Sequence, residues 1–426
     1  MTLTTVILVM LALIALNMRL YISILVAVLV YFLFFNQVPI TIAIQRVIAP
    51  TQNVSLLAIP FFILLGTLMG HTGIASRMLS VADLLVGRFR GGMAMANVML
   101  STLMGGLSAS NLADAAMTAR MMVPEMEKQG YNRGFAAAVT AFGSLITPII
   151  PPGIALIIYA LLANVSVGRM FMAGILPGLL LALLLLVTVY IISVRRDYKP
   201  TRTSWPKRGE VGSTLIAAWP AVLLVFAVIG GIRANIFTPT EAGAFAVAFV
   251  VFIGFIVYRE MRLSHVGSAL VETAKSTASV MLVIMASSAL AWVFSLEQVG
   301  QSLAASIVAI SDNKYLFLLL LNVLFLGLGC LLEGTALMIV LVPLLMPTVL
   351  AMGIDPVHFG IILIVNLSIG TLTPPICTVM LVVCNITKVN VADFTRQSVG
   401  LYLALLIGLF LITYIPEISL LLSSGG

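Results

Sequence analysis

Charge is scarce in this sequence. Asp, Glu, Lys and Arg together make up 9% of its 426 residues, where soluble domains carry about 25%. So little charge cannot cover a water-facing surface, which excludes a soluble enzyme or soluble binding module. Cysteine is also sparse. Cys330, Cys377 and Cys384 lie in or beside apolar stretches without CxxC pairing, so a disulfide framework or a structural zinc site has no basis. His71, His265 and His358 are far apart and lack metal-ligand spacing; only proximity in the fold could bring them together. No Ser-His-Asp, HExxH or paired-Asp signature is present, so the chain does not read as an enzyme and no organic cofactor is expected.

Apolar residues are abundant instead, at 61% of the chain with a mean hydropathy of +1.18. Runs near the length needed to cross a bilayer, about 20 residues, recur from the first residues to the last tail. They predict an all-α polytopic membrane protein, in contact with membrane lipid throughout. Spans are expected near 3 to 16 continuing into 20 to 35, at 54 to 70, and in a broken stretch from 93 to 163. Others follow at 168 to 194, 214 to 232, 240 to 258, 277 to 296, a second broken stretch from 315 to 385, and 399 to 422. The first run has no Lys or Arg before it and no small-residue cleavage signature, so it is expected to stay as a membrane helix.

The formal charge of +7 would fit a nucleic-acid partner in a soluble protein. Here the basic residues sit between apolar runs, as topology signals do, and no nucleic acid is expected. The most polar segment, Arg195 to Glu210, carries Arg195, Arg196, Lys199, Arg202, Lys207 and Arg208 against Asp197 and Glu210. The positive-inside rule makes it cytoplasmic. Arg233 to Glu241, one span later, should face the opposite side, and Arg259, Arg262 and Lys275 the cytoplasm again.

The basic loop separates two halves, each with one long stretch in which Gly, Pro, Ser and Thr interrupt the apolar pattern. In the first, Asn97 leads to the Gly105–Asn111 cluster, then Val123-Pro124, then Gly143-Ser-Leu-Ile-Thr-Pro-Ile-Ile-Pro-Pro152. In the second, Asn322 leads to the Gly327–Thr335 cluster, then Met346-Pro347, then Gly370-Thr-Leu-Thr-Pro-Pro375. The order and spacing are nearly the same, which points to an internal duplication. Each copy reads as a re-entrant hairpin, a connecting loop with Gly130 or Gly353, and a helix broken at the Thr-Pro element. Backbone groups cannot stay unpaired in hydrocarbon, so a broken helix survives at membrane depth only where it lines a cavity, packs on protein or binds something. The carbonyls freed at a break suit a cation, and the amide groups suit a carboxylate. A single break reads as an ordinary kink. Two matched breaks, each behind its own hairpin, are the pattern of a secondary transporter with its site near the bilayer midplane.

At these residues the chain resembles the large, DctM-like membrane subunit of the tripartite ATP-independent periplasmic (TRAP) transporters. The resemblance covers nearly the whole chain and rests on Leu57-Ala-Ile-Pro-Phe-Phe62, Ala113-Asp114, Val123-Pro124, Ile150-Pro-Pro152, Phe171-Met-Ala-Gly174, Phe237-Thr-Pro-Thr-Glu-Ala-Gly243, Gly353-Ile-Asp-Pro356 and Ser368-Ile-Gly-Thr-Leu-Thr-Pro-Pro375. It implies an elevator-type, sodium-driven uptake system with inverted repeats in the bacterial inner membrane. A periplasmic substrate-binding protein would deliver an organic acid to a complex of this subunit and a small four-helix membrane subunit. A stand-alone sodium- or proton-coupled carboxylate symporter is the alternative.

The resemblance also implies site residues and two or more sodium ions. Ser108, Ser110 and Gly143 would surround one ion, and Gly329, Gly370 and Thr373 the other. Asn111, Thr147, Pro151, Pro152, Glu333, Thr335, Pro374 and Pro375 would form the hairpin tips or contact substrate. The family's usual Ser-Gly-Ser-Ala tip is Ser108-Ala-Ser-Asn111 here, its Pro-Pro-Ser is Pro151-Pro-Gly153, and its Asp-x-Thr-Pro is Glu333-Gly-Thr-Ala336. The expected division is N-terminal scaffold helices at 1–92, a first transport repeat at 93–194, the basic loop at 195–213, a second scaffold part at 214–314, a second transport repeat at 315–398 and a C-terminal helix at 399–426. Asp114, Arg120 and Glu333 are intramembrane ionisable groups, for which a functional or gating role stands beside local pairing. Glu241 is expected to stabilise a helix start.

Overall fold

The computed structural model describes residues 2–16, 18–34, 39–108, 110–234, 236–299, 313–330, 334–374 and 377–423. Among these the secondary structure is entirely helical. Six helices are long and apolar enough to cross a membrane, and a bent pair, Ile40–Gln52 with Val54–Met69, makes a seventh if counted as one span. The N-terminal run is two helices, α1 (Thr2–Ala15) and α2 (Leu20–Phe34), packed against each other rather than continuous. Arg19 lies at the junction, where a charge would be costly within one long span. With α3 (Ile40–Ile48), these helices bury Tyr31, Phe32 and Ala43 against Ala286, Ala289 and Val293, forming a small apolar cluster separate from the main core.

Next come α4 (Ala58–Met69) and α5 (Ile74–Val86), then hairpin 1, whose arms are α6 (Gly92–Ser108) and α7 (Asn111–Lys128). Helix α8 (Arg133–Ser144) stops at a break over 145–153, resumes as α9 (Ile154–Leu162), and α10 (Val167–Arg195) returns to the basic loop. Three spans follow: α11 (Arg208–Arg233), α12 (Pro239–Phe252) and α13 (Leu263–Leu296). Hairpin 2 then has arms α14 (Lys314–Gly329) and α15 (Gly334–Ala351), followed by α16 (Pro356–Gly370), a break, α17 (Thr378–Thr387), α18 (Val391–Tyr414) and the short α19 (Glu417–Leu420). Helix α18 runs straight through the expected division at 398/399.

The two halves repeat local backbone geometry. Each hairpin ends at a glycine in the left-handed conformation, Gly130 (φ +87°) and Gly353 (φ +67°), where a side chain would be strained. In each, the next amide closes the helix end, Tyr131 to the Met126 carbonyl and Ile354 to the Val349 carbonyl. One residue later an N-cap opens the next helix: Asn132 accepts from Phe135, and Asp355 from Val357 and His358. The helix after each break ends at a left-handed residue, Asn164 or Lys388, and the next is capped by Ser166 or Asn390. The halves also interlock. Helix α9 packs on hairpin 2 through α15, and α17 packs on hairpin 1 through α7.

Outside this pair, α4 packs on α12 and α13. Glu241 does what its position suggests: its carboxylate accepts from the Thr238 amide at 2.8 Å while Thr238 caps the Glu241 amide. On the basic-loop side, Arg202 pairs with both Asp83 and Glu210, and the Tyr198 hydroxyl accepts from the Asn132 amide. The loop is therefore tied to α5 and to the turn after hairpin 1.

Candidate substrate and ion site

Each hairpin is fastened to its own broken helix by a buried side-chain hydrogen bond. In the first repeat the Asn97 amide donates to Thr140 Oγ1 at 2.6 Å; in the second the Asn366 amide donates to Asn322 Oδ1 at 2.7 Å. Asn97 and Asn322 are legible in the sequence only as landmarks, because their partners are 43 and 44 positions away. Both bonds lie below the hairpin tips, so they set the height at which each tip meets its break.

At the second tip, Gly329 ends α14 and Gly370 ends α16, backbone against backbone. A Cβ placed on Gly370 would lie 2.7 Å from Gly329 Cα, so only glycine fits without a shift. Thr373 follows within the break; its hydroxyl donates to the Ile369 carbonyl at 3.0 Å and lies beside Cys330 and Tyr402. The structure thus gathers Gly329, Gly370 and Thr373 at one place. Pro374 is exposed, and Glu333 and Pro375 lie outside the described residues.

The first tip is gathered differently. Gly143 is buried, with Ser101 Oγ 3.4 Å from where its Cβ would stand. Ser110 caps α7 by accepting from the Ala113 amide. The Ser108 side chain lies outside the described residues. Thr147 is fully buried, donating to Asp114 Oδ2 at 3.1 Å. Pro151 and Pro152, joined by a cis peptide bond, are buried in the break, with the Pro151 carbonyl near Gly106 of α6. They shape the break rather than the cavity wall.

The tips and breaks converge on one space. A cavity of about 160 Å³ is lined by Asn111, Pro148, Thr335, Ser368, Thr371 and Thr378 among others, with both hairpins and both breaks contributing. A neighbouring cavity of about 330 Å³ shares Asn111, Pro148 and Thr335 and reaches Thr67 of α4 and Glu272 of α13. A third, of about 580 Å³, shares Thr67 and Glu272 and extends past Asp114 to Arg120 and His71. Together they form a cleft between α4 and α13 on one side and hairpin 1 on the other. At its mouth His71 and His265, remote in sequence, stack at 4.5 Å. Partial burial and the neighbouring His265 lower the affinity of His71 for a proton, against a smaller opposite pull from Glu272. Asn111 and Thr335 of the predicted set line the space; Pro148, Ser368 and Thr371 join them. Polar hydroxyl and amide groups on mostly apolar walls make a pocket for a small organic molecule with a few fixed polar contacts.

Matched hairpins, matched breaks and a shared cavity define the class: a multi-pass membrane transporter. The sequence pattern of the family described as tripartite ATP-independent periplasmic transporter, DctM component, matches residues 7–418. The chain belongs to that family and is a transporter permease, not an enzyme. It is 38% identical over 402 residues to the sialic acid TRAP transporter large permease protein SiaM of Vibrio cholerae, covering 94% of this chain and 93% of that one. To the C4-dicarboxylate TRAP transporter large permease protein DctM of Pseudomonas aeruginosa it is 36% identical over 372 residues, 87% of each chain. Its fold is similar to the YdaH transporter of Alcanivorax borkumensis, a structure described as having an unusual topology, with a TM-score of 0.66, 15% identity and 89% of each chain covered.

Proposed function

We propose that this chain is the sodium-coupled large permease subunit that carries an organic acid anion, such as sialic acid or a C4-dicarboxylate, into the cell. The single observation that carries the reading is the convergence of two hairpin tips and two helix breaks on one cavity. Gly329, Gly370 and Thr373 would supply backbone and a hydroxyl at one ion position; Ser108, Ser110 and Gly143 would surround the other. Counting crossings from the cytoplasmic basic loop, α11, α12 and α13 separate the halves, so hairpin 2 enters from the face opposite hairpin 1. That is an inverted repeat, and it suits alternating access in which the hairpins and broken helices move as a body against α4, α12 and α13. A periplasmic binding protein would load the site, and a small helical subunit would hold the stationary part in the bilayer.

The test is uptake of radiolabelled candidate acids into proteoliposomes containing the full membrane complex and its binding protein, with the acid chosen by identifying what that protein binds. An inward sodium gradient should drive accumulation, and replacing sodium with potassium should abolish it. Equal uptake in either salt would refute sodium coupling.

A further inference from the structure

We infer that Arg120 is the release-side contact for the substrate's acid group: a guanidinium on the route from the cavity between the hairpin tips to the cytoplasm, which takes up the anion as it leaves. The three cavities share walls in series. Asn111, Pro148 and Thr335 belong to both the innermost and the middle one, and Thr67 and Glu272 to both the middle and the outermost. Charge is distributed unevenly along them. Neutral residues line the innermost cavity, the middle one carries Glu272, and the outermost adds Asp114, Arg120 and His71. Among the described residues lining all three, Arg120 is the only Lys or Arg. Two ties put the outer end on the cytoplasmic side. The base of hairpin 1 is bonded to the basic loop through Asn132 and Tyr198, and Arg120 lies about two and a half turns down α7 from Asn111, roughly 13 Å toward that base. Opposite it, His71 stacks on His265 in the first turn of α13, just after the basic residues Arg259 and Arg262.

Arg120 is exposed and forms no ion pair with any described carboxylate. Asp114, on the same helix, is buried and held by Thr147 and Ser101 instead. An interfacial anchor belongs at a helix end, whereas Arg120 is in the middle of α7. There a fixed charge is costly unless it faces water or meets a counter-ion, and the cleft of about 580 Å³ gives it the first. A planar guanidinium holds a carboxylate or sulfonate through two parallel hydrogen bonds. Glu272 stands at the junction of the middle and outer cavities. An anion at Arg120 has therefore passed a like charge, which disfavours its return toward the tips.

Such a contact rests on the organic-acid reading, and one set of uptake assays separates the two. Initial rates are measured in proteoliposomes holding the full membrane complex, with loaded binding protein outside and radiolabelled sialic acid or succinate, whichever that protein carries. Arg120→Gln should lower the maximal rate roughly tenfold, the scale of one charge-assisted hydrogen bond. The external concentration for half-maximal uptake and the unfolding temperature should stay close to those of wild type, because the contact is made after the substrate is bound. Arg120→Lys, which keeps the charge, should recover part of the rate. Adding Glu272→Gln to Arg120→Gln should not restore it; full recovery in the double variant would make Arg120 a counter-ion of Glu272 and overturn the proposal. If Arg120→Gln fails to fold, Arg120→Cys decides: coupling a cationic aminoethyl group to the thiol should raise its rate and an anionic sulfonatoethyl group should not, with wild type treated alike as the control. Equal rates after either reagent contradict the proposal. Wild-type uptake with an unchanged maximal rate in folded Arg120→Gln overturns the Arg120 contact and leaves the transport reading intact. No uptake by wild type overturns both.

Discussion

At the level of single residues, Gly370 and Gly329 meet backbone against backbone at the second tip, which sets what either position tolerates. A methyl at Gly370 would meet the Gly329 Cα at 2.7 Å. Gly370→Ala should therefore destabilise by about 1–3 kcal/mol, the usual cost of overpacking, and should abolish uptake; thermal unfolding and transport assays measure the two. Thr373→Ala removes one hydroxyl without adding volume. It should leave the unfolding temperature in potassium nearly unchanged while raising the sodium concentration needed for half-maximal uptake, and an unchanged sodium dependence would remove Thr373 from the ligand set. These glycines and threonines were legible in the sequence because a helix cannot run through Gly-Thr-Leu-Thr-Pro. The pairs Asn97 with Thr140 and Asn322 with Asn366 were not, since nothing in the intervening residues records which polar groups will meet. Asp114 was visible as an ionisable residue at membrane depth, but its hydrogen bond from Thr147 exists only once the break packs against α7.

At the level of elements, the turn that joins each hairpin to its broken helix is the most faithfully repeated feature: a left-handed glycine, a closing amide bond, then an Asn or Asp cap. Gly130 and Gly353 announce it in the sequence through their position after Val-Pro and Met-Pro helices. Asp355 does a second task, pairing with Arg169 at 3.5 Å and so joining the start of α10 to the start of α16 across the halves. Asp355→Ala should cost about 1 kcal/mol as a lost cap, and Asp355→Asn, which keeps the cap but loses the charge, should cost less than half of that because the pair is part-exposed. Equal losses in the two variants would show that the ion pair, not the cap, matters there. The N-terminal run shows where element-level reading falls short. Apolar content alone does not mark the end of α1; the polar junction at Arg19 and packing of α1 on α2 do.

At the level of the whole molecule, hydropathy was enough to place the chain in the membrane, and the exceptions to it pointed to the hairpins and breaks that line the candidate site. The arrangement of the halves came from packing instead. The reciprocal contacts of α9 with hairpin 2 and α17 with hairpin 1 join residues more than a hundred positions apart, and no local pattern encodes them. The cleft along α4 and α13 likewise depends on how the hairpins sit against those helices. The central claim concerns this molecule as one part of a three-part machine. It is tested most directly by sodium-driven uptake in proteoliposomes, measured with the full complex and after omitting either the periplasmic binding protein or the small membrane subunit. The account predicts accumulation only when all three components and sodium are present; robust sodium-driven uptake by this chain alone would contradict it and favour a stand-alone carboxylate symporter.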